Sequence, residues 1–205
     1  MNYTIQKLAE YFEKLPGIGP RQARRFVYAL LNKDVNFLEQ FSKSILGLKK
    51  DMRSCPECRR FFESKNNENC QICRDVNRNK NILLVAEKDV DLDNIEKAGI
   101  YDGFYFVLGG LVPAVGSEMP SEVKMKKLFE KVKKEVVAKN LKEIILAFSA
   151  TPEGENTALY IEKILEPINK KFPIKINRLG RGLSTGTELE YADSDTLKNA
   201  LERRG

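Results

Sequence analysis

The stretch Asn81–Gly99 reads NILLVAEKDVDLDNIEKAG and decides the fold of the larger part of the chain. Its first six residues are almost all apolar, which is typical of a strand buried on both faces of a parallel sheet. The acid-rich segment that follows has a helical pattern and ends at Gly99, because glycine is favoured just past a helix end. The stretch therefore predicts a strand followed by a short helix, as at the start of a βαβ unit.

The alternation of strand and helix continues toward the C-terminus. Further strands are predicted at YFVL, EIILAF and IKINRL, residues 105–108, 143–148 and 174–179. Helices are predicted between them at 121–139 and 156–165. This order predicts an α/β domain with a parallel sheet and helices on both faces. Ligands of such sheets bind beyond the carboxyl ends of the strands.

Four acids follow the first strand, namely Glu87, Asp89, Asp91 and Asp93. Asp91 or Asp93 can cap the helix, and acids in a first turn suit the helix dipole. Glu87 lies at a strand end, where no cap is needed. Glu153 and Glu155 lie in the loop that follows EIILAF, and so toward the same edge of the sheet. These acids predict either an acidic surface for a basic partner or a weakly held magnesium ion.

All four cysteines of the chain lie between residues 55 and 73, in CPECRRFFESKNNENCQIC. Cys55, Cys58, Cys70 and Cys73 have the spacing C-x2-C-x11-C-x2-C, which predicts a structural zinc site with four sulfur ligands. Two disulfides and a redox-active CxxC pair are the alternatives. Four arginines surround the cysteines and either extend a DNA-binding surface or are solvated: Arg59, Arg60, Arg74 and Arg78.

The N-terminal part predicts two helices joined by a turn. Apolar residues recur at helical spacing before the turn, at Ile5, Leu8, Ala9, Phe12 and Leu15. A second apolar face follows it, at Ala23, Phe26, Val27, Leu30 and Leu31. Between them LPGIGP, Leu15–Pro20, places a proline that fits the first turn of the second helix.

The turn predicts a phosphate clamp. Gly17 and Gly19 can take positive φ and leave the backbone open, so that amides of the second helix's first turn point at an anionic oxygen. Arg21, Arg24 and Arg25 follow at once and can bind phosphates. Such a clamp reads no base, which predicts DNA binding without sequence preference. An ordinary turn between two helices is the alternative.

Charge and composition agree with a DNA-binding protein. Residues 1–80 hold 16 basic and 9 acidic residues, a net charge of +7, whereas residues 81–205 hold 19 and 20, a net charge of −1. The chain has no histidine, which excludes Ser-His-Asp triads and Cys-His dyads. No Tyr, Lys or Ser has a spacing that marks it as a nucleophile or base, so we predict no catalytic residue. The absence of a long apolar run and of a signal pattern predicts a cytoplasmic protein.

These motifs together resemble one family. KLPGIGPRQARRFVYALL resembles the helix-hairpin-helix of DNA-repair proteins, most closely that of the RecR family, whose DNA contacts would fall on Arg21 and Arg25. A four-cysteine zinc finger followed by a segment such as RDVNR is similar to RecR at the same place in the chain. EGENTALYI, Glu153–Ile161, differs from the family pattern only at Asn156. The tail RLGRGLSTGTELEYADSDTL also resembles the family's tail but departs from it at several positions.

The later α/β part resembles the Toprim fold of topoisomerases and primases. In that fold a glutamate ends the first strand and an Asp-x-Asp ends a later one, and together they bind magnesium. Here Ser149–Pro152 follow EIILAF, without an Asp-x-Asp. The RecR family shows the same departure and has no known nuclease activity, so the resemblance implies a protein that is not an enzyme.

The resemblance implies four modules and a recombination mediator. The modules are an all-α helix-hairpin-helix at 1–52, a zinc finger at 53–79, an α/β Toprim domain at 80–177 and a Gly-rich segment with a helix at 178–205. The family works with RecO, and in many bacteria RecF, to load RecA onto gapped DNA coated by single-strand-binding protein. It forms dimers or ring-like tetramers on single- and double-stranded DNA near the nucleoid. A magnesium-dependent, nuclease-like Toprim enzyme and a DNA-binding scaffold unconnected with recombination are the alternatives.

Overall fold

The computed structural model describes residues 2–64, 66–113 and 124–180, together with positions 186, 190, 192, 194 and 196–198. The chain divides into Met1–Arg53, called here the helical unit, and Ser54–Gly205, called here the sheet unit. The predicted start of a helix at 121 and most of the predicted C-terminal helix lie outside the described residues. Among the helices of the described residues, none combines the length and apolar character that a membrane span needs.

The helical unit contains three helices: α1 (Tyr3–Glu13), α2 (Pro20–Leu31) and α3 (Val35–Asp51). α1 and α2 pack through the buried side chains of Ala9, Ala23 and Val27. The rings of Phe12 and Phe26 add a tilted contact with centroids 5.4 Å apart. The two predicted helices and the turn between them are therefore confirmed.

Three leucines of the predicted apolar faces are exposed, which corrects the sequence interpretation. The exposed fractions of Leu8, Leu15 and Leu31 are 37%, 50% and 63%. α1 and α2 meet along a narrow line of small side chains, so each helix covers only the central stripe of its partner.

The cysteines lie in a segment, residues 54–78, that we call the cysteine segment. It includes most of three short elements: β1 (Met52–Ser54), β2 (Phe61–Glu63) and α4 (Gln71–Arg74). β1 and β2 pair in a two-stranded sheet.

The remaining elements of the sheet unit alternate as predicted: β3 (Asn79–Ala86), α5 (Asp89–Ala98), β4 (Gly103–Val107), α6 (Met125–Val137), β5 (Glu143–Ala147), α7 (Pro152–Lys171) and β6 (Lys175–Arg178). The four strands β3 to β6 form a parallel sheet in the order β4-β3-β5-β6. β3 lies inside the sheet, where Leu84 pairs with Tyr105 of β4 and Ile145 of β5. The predicted parallel α/β architecture is confirmed.

The two faces of this sheet are covered differently. Alternate residues of β3 point to opposite faces, with Leu83 and Val85 on one and Leu84 and Ala86 on the other. The first face packs against α6 and α7. The second face packs against Leu92 of α5 and against the cysteine segment. The cysteine segment thus shares a core with the sheet, which the sequence did not indicate.

Helix α7 is longer than predicted and places two acids in a helix instead of a loop. It begins at Pro152, so Glu153 and Glu155 lie in its first turn. The hydroxyl of Thr151 caps this end by accepting the Gly154 amide at 3.2 Å. The helix continues through Pro167, whose side chain is exposed, and ends at Lys171. An N-terminal cap and two first-turn acids stabilise this start, because both suit the positive end of the helix dipole.

Candidate DNA-binding, metal-binding and acidic sites

The turn between α1 and α2 exposes backbone amides. Gly17 has a φ of +78°, whereas Gly19 has an extended φ of −86° and is the N-cap of α2, so only Gly17 uses the positive φ that both glycines can take. Pro20 occupies the first turn, as predicted, and no described side chain caps this end of α2. The first-turn amides therefore remain available to a ligand.

Gly19 leaves open space beside these amides. A Cβ built on it would meet no atom within 4 Å, and its φ suits any residue. The fold of the chain therefore does not itself require a glycine at this position. Its lack of a side chain lets a ligand approach the backbone closely. Arg21, Arg24 and Arg25 follow and are all exposed.

The four cysteines form a single cluster. The Sγ atoms of Cys55, Cys58, Cys70 and Cys73 all lie within 4.8 Å of one another, and the four are free thiols. Three are buried and Cys73 is half-buried. Hydrogen bonds among the thiols lower the pKa of Cys55 and raise the pKa of Cys58 and Cys73, so the cluster holds its protons unevenly. Four sulfur atoms gathered in this way can hold a tetrahedral metal ion with no open position.

Two backbone turns bring the cysteine pairs together. The Arg59 amide donates to the Cys55 carbonyl at 2.9 Å, and Arg59 takes a φ of 68° to turn the first pair. The Cys70 amide donates to the Cys55 sulfur at 3.4 Å. The carbonyl of Cys58 accepts the amide of Val107 at 2.7 Å, so the cluster is hydrogen-bonded to the end of β4.

Two of the four arginines around the cluster form ion pairs within the sheet unit. Arg60 contacts Asp93 at 3.2 Å, and Arg78 contacts Glu96 at 2.5 Å and the carbonyl of Gly103 at 2.9 Å. Burial is the largest single influence on Glu96 and raises its pKa, but the hydrogen bond and charge of Arg78, together with smaller contributions from neighbouring groups, hold that pKa below its usual value. Arg60 and Arg78 therefore join the cysteine segment to the sheet and α5.

Most of the acids after β3 form hydrogen bonds or ion pairs with nearby groups of the protein. The Asp91 carboxylate accepts the Lys88 amide at 2.9 Å, which confirms the predicted cap of α5. Asp89 accepts the amide of Phe61 at 2.7 Å and so binds β2. Glu87, with 13% of its side chain exposed, pairs with Lys88 at 2.9 Å and raises the pKa of that lysine.

Glu155 is paired with a cation as well. Arg178 of β6 contacts Glu155 at 2.7 Å and Glu162 at 2.9 Å. Glu153, by contrast, is exposed. In the part of the chain that the structure describes, the four cysteines form the only group of three or more side chains placed to bind one metal ion. The acids Glu87, Asp91, Glu153 and Glu155 are therefore not brought together as a set of three.

Three residues of the EGENTALYI segment have roles that the sequence reading missed. A Cβ on Gly154 would lie 2.0 Å from the carbonyl oxygen of Ser149, so only glycine fits there. The buried hydroxyl of Thr157 accepts the Val112 amide at 2.8 Å. The amide of Asn156 donates to the carbonyl of Pro113 at 2.6 Å. The contacts of Thr157 and Asn156 hold the segment after β4 against α7, and their partners lie 45 and 43 positions away, too far for local patterns to show them.

Comparison with protein families agrees with this arrangement. Residues 5–47 match the helix-hairpin-helix of RecR, residues 81–179 match the Toprim domain and residues 182–204 match the RecR C-terminal model. The fold and sites thus define a class of protein that joins a helix-hairpin-helix, a four-cysteine cluster and a Toprim domain.

Relatives that match this chain over nearly their whole length identify one family within this class. The chain is 38% identical to the recombination protein RecR of Lactobacillus acidophilus, over 98% of this chain and 96% of that protein. It is 38% identical to that of Prochlorococcus marinus, over 98% and 94%, and 36% identical to that of Chloroherpeton thalassium, over 100% and 98%. The chain therefore belongs to the RecR family of recombination proteins. This membership supports a role in DNA recombination and repair.

Proposed function

We propose that this protein is a non-catalytic recombination mediator that binds DNA through the turn between α1 and α2. The observation that carries the proposal is this turn, in which uncapped amides of α2, the open space at Gly19 and the exposed Arg21, Arg24 and Arg25 lie next to one another in the chain. Gly17 and Gly19 give the backbone access, and the arginines bind phosphates. The site binds single- and double-stranded DNA without sequence preference, because phosphates carry no sequence.

The other sites take supporting roles in this proposal. Cys55, Cys58, Cys70 and Cys73 hold a structural zinc ion, which suits four sulfur ligands with no open position. The acids Glu87, Asp91, Glu153 and Glu155 follow β3 and β5 and are assigned to a basic partner or a weakly held magnesium ion, which would have to displace Lys88 from Glu87 and Arg178 from Glu155. RecO, and RecF where it exists, are the proposed partners in loading RecA onto gapped DNA coated by single-strand-binding protein. The protein acts as a homo-oligomer, a dimer or tetrameric ring, at the nucleoid in the cytoplasm.

The proposal is tested by changing the charge at the turn. Arg21→Ala together with Arg25→Ala is expected to weaken DNA binding and to lower the salt slope of log K by about 2, since each lost phosphate contact removes about 0.9. The matched control is Lys43→Ala with Lys170→Ala, which removes two charges from exposed sites elsewhere. Unchanged affinity and salt slope in the arginine variant, measured by anisotropy of labelled DNA, would remove the turn from the proposed function.

The competing function is a magnesium-dependent DNA enzyme, which the Toprim match favours. Purified protein with magnesium and labelled single- and double-stranded DNA separates the two functions. We expect no cleavage. Cleavage that Glu87→Gln abolishes would establish the enzyme and reject the non-catalytic role.

A further inference from the structure

The outward face of α1 alternates aromatic and basic side chains. Tyr3, Lys7, Tyr11 and Lys14, which we call the tyrosine stripe, fall within about 80° of one another around the helix axis. They lie opposite Ala9, which packs against α2. The exposed fractions of Tyr3 and Tyr11 are 74% and 58%, so both rings are open to solvent in the chain.

Each ring of the stripe has a cation beside it. The Nζ atom of Lys7 lies 5.8 Å from the ring centroid of Tyr3, and that of Lys14 lies 5.3 Å from the centroid of Tyr11. An aromatic face next to a mobile positive charge suits a nucleotide, because the base stacks on the ring while the phosphate pairs with the cation. The two tyrosines are eight residues apart, about 12 Å along the helix, roughly the length of three to four stacked nucleotides.

We propose that the tyrosine stripe binds single-stranded DNA by stacking unpaired bases on Tyr3 and Tyr11. The inference rests on the proposed DNA binding of the helical unit and adds a preference for one kind of strand. The clamp at Arg21–Arg25 contacts phosphates, which single and double strands share. The tyrosine stripe requires bases whose faces are free. In a duplex the bases are stacked on one another, so their faces are not available to the tyrosines.

A second copy of the chain is the other occupant to be tested. Leu8 and Leu15 flank the stripe and are partly exposed, as they would be at a protein interface. The stripe itself carries two lysines, and the exposed Glu10 lies at its edge, three residues from Lys7 and four from Lys14, so this surface keeps a net charge of +1. A two-fold contact centred on it would bring these lysines together, since both copies present the same patch. The charge therefore favours a polyanion.

The experiment compares normal and base-free DNA. Wild-type protein is titrated with labelled oligothymidylate, with an abasic strand of the same length and with duplex DNA. Tyr3→Ala with Tyr11→Ala is expected to weaken oligothymidylate binding about tenfold for each ring, because stacking contributes about 1–3 kcal/mol per base. Duplex affinity stays unchanged. Tyr3→Phe with Tyr11→Phe keeps the rings and restores the affinity.

Tyrosine fluorescence gives an independent measurement. The chain has seven tyrosines and no tryptophan, so tyrosine emission is not masked. Oligothymidylate is expected to quench the tyrosine emission of the wild type. In the double phenylalanine variant the quenching should be smaller, because Tyr3 and Tyr11 no longer contribute to it. Thermal unfolding of both double variants should equal the wild type, because the two rings are exposed.

The outcomes separate this inference from the proposed function. Equal affinity for abasic and normal strands, with duplex still bound, overturns the stacking and leaves the clamp. A change of solution mass in the double alanine variant assigns the stripe to a second copy and also overturns it. Loss of all DNA binding only in the arginine variant, with stripe variants unaffected, overturns it as well. A wild type that binds none of the three DNAs rejects the proposed function itself.

Discussion

The two faces of the parallel sheet are held by different kinds of interaction. The first face buries apolar side chains of α6 and α7, including Leu128, Val132, Ile161 and Leu165, against β3, β4 and β5. The second face has a smaller apolar cluster that includes Cys55, Cys58 and Cys70 themselves. The first face can thus be stabilised by burial alone, whereas the second includes the sulfur atoms of the proposed metal site.

Polar contacts complete the second face. Asp89 accepts the Phe61 amide, Asp93 pairs with Arg60, and Glu96 pairs with Arg78. All three acids are in α5, and all three partners are in the cysteine segment. One helix therefore carries the polar side of this interface, and the following changes test how the two faces differ.

The largest effect is expected from removing one metal ligand. Cys70→Ser should release the metal and lower the melting temperature more than any other change below, because structural zinc contributes about 10 kcal/mol or more. Metal analysis and calorimetry measure both results. A variant that loses its metal but keeps the wild-type melting temperature would show that the second face is held by packing alone.

A cavity on the first face should destabilise the protein without affecting the metal. Leu165 is fully buried, so Leu165→Ala should lower the free energy of unfolding by about 2–5 kcal/mol. Denaturant unfolding measures the loss, and metal analysis should still find the wild-type content. A fall in metal content would mean that the two faces are coupled through the sheet.

Removing the half-buried ion pair should have a smaller effect that depends on pH. Arg78→Gln leaves Glu96 without its partner and should cost about 2 kcal/mol near neutral pH, since both side chains are mostly covered. The contribution of Glu96, whose pKa is lowered from 4.5, is complete above that pH and is lost as the pH falls below it. The stability of the wild type should therefore approach that of the variant in acid. A difference that does not shrink at any acid pH at which the protein still folds would contradict this, and the exposed Arg74→Gln serves as the control.

The smallest effect is expected at the more exposed pair. The Asp93 side chain is 49% exposed, so Arg60→Ala should cost about 1 kcal/mol or less. A double-mutant cycle with Asp93→Asn isolates the coupling. A coupling free energy as large as that of Arg78 with Glu96 would show that solvent exposure does not determine how much these ion pairs stabilise the protein.

Local signals in the sequence predicted what lies close in the chain. The nearly all-apolar run at Asn81–Ala86, the CxxC pairs, Pro20 and the cap at Asp91 were predicted correctly because each depends on a few neighbouring residues. The cover of the second face was missed, since it joins Cys58 to Val107 and Arg60 to Asp93 across long separations. Glu155 was taken as a free acid because its partner, Arg178, follows it by 23 positions. Both glycines of the turn can take a positive φ, and only the structure shows that Gly17 does so while Gly19, the N-cap, is extended.

The contact of Cys58 with Val107 has a consequence for how the chain is made. Val107 follows Cys73, the last metal ligand, by 34 positions. At about 5–20 residues per second, the ribosome completes the metal site roughly 2–7 seconds before it completes the strand on which that site packs. During that interval Ile72, later buried, has no sheet to cover it. If the cysteines bind the proposed metal, its supply to the growing chain would set whether β3 and β4 emerge beside an ordered cysteine segment or beside four free thiols.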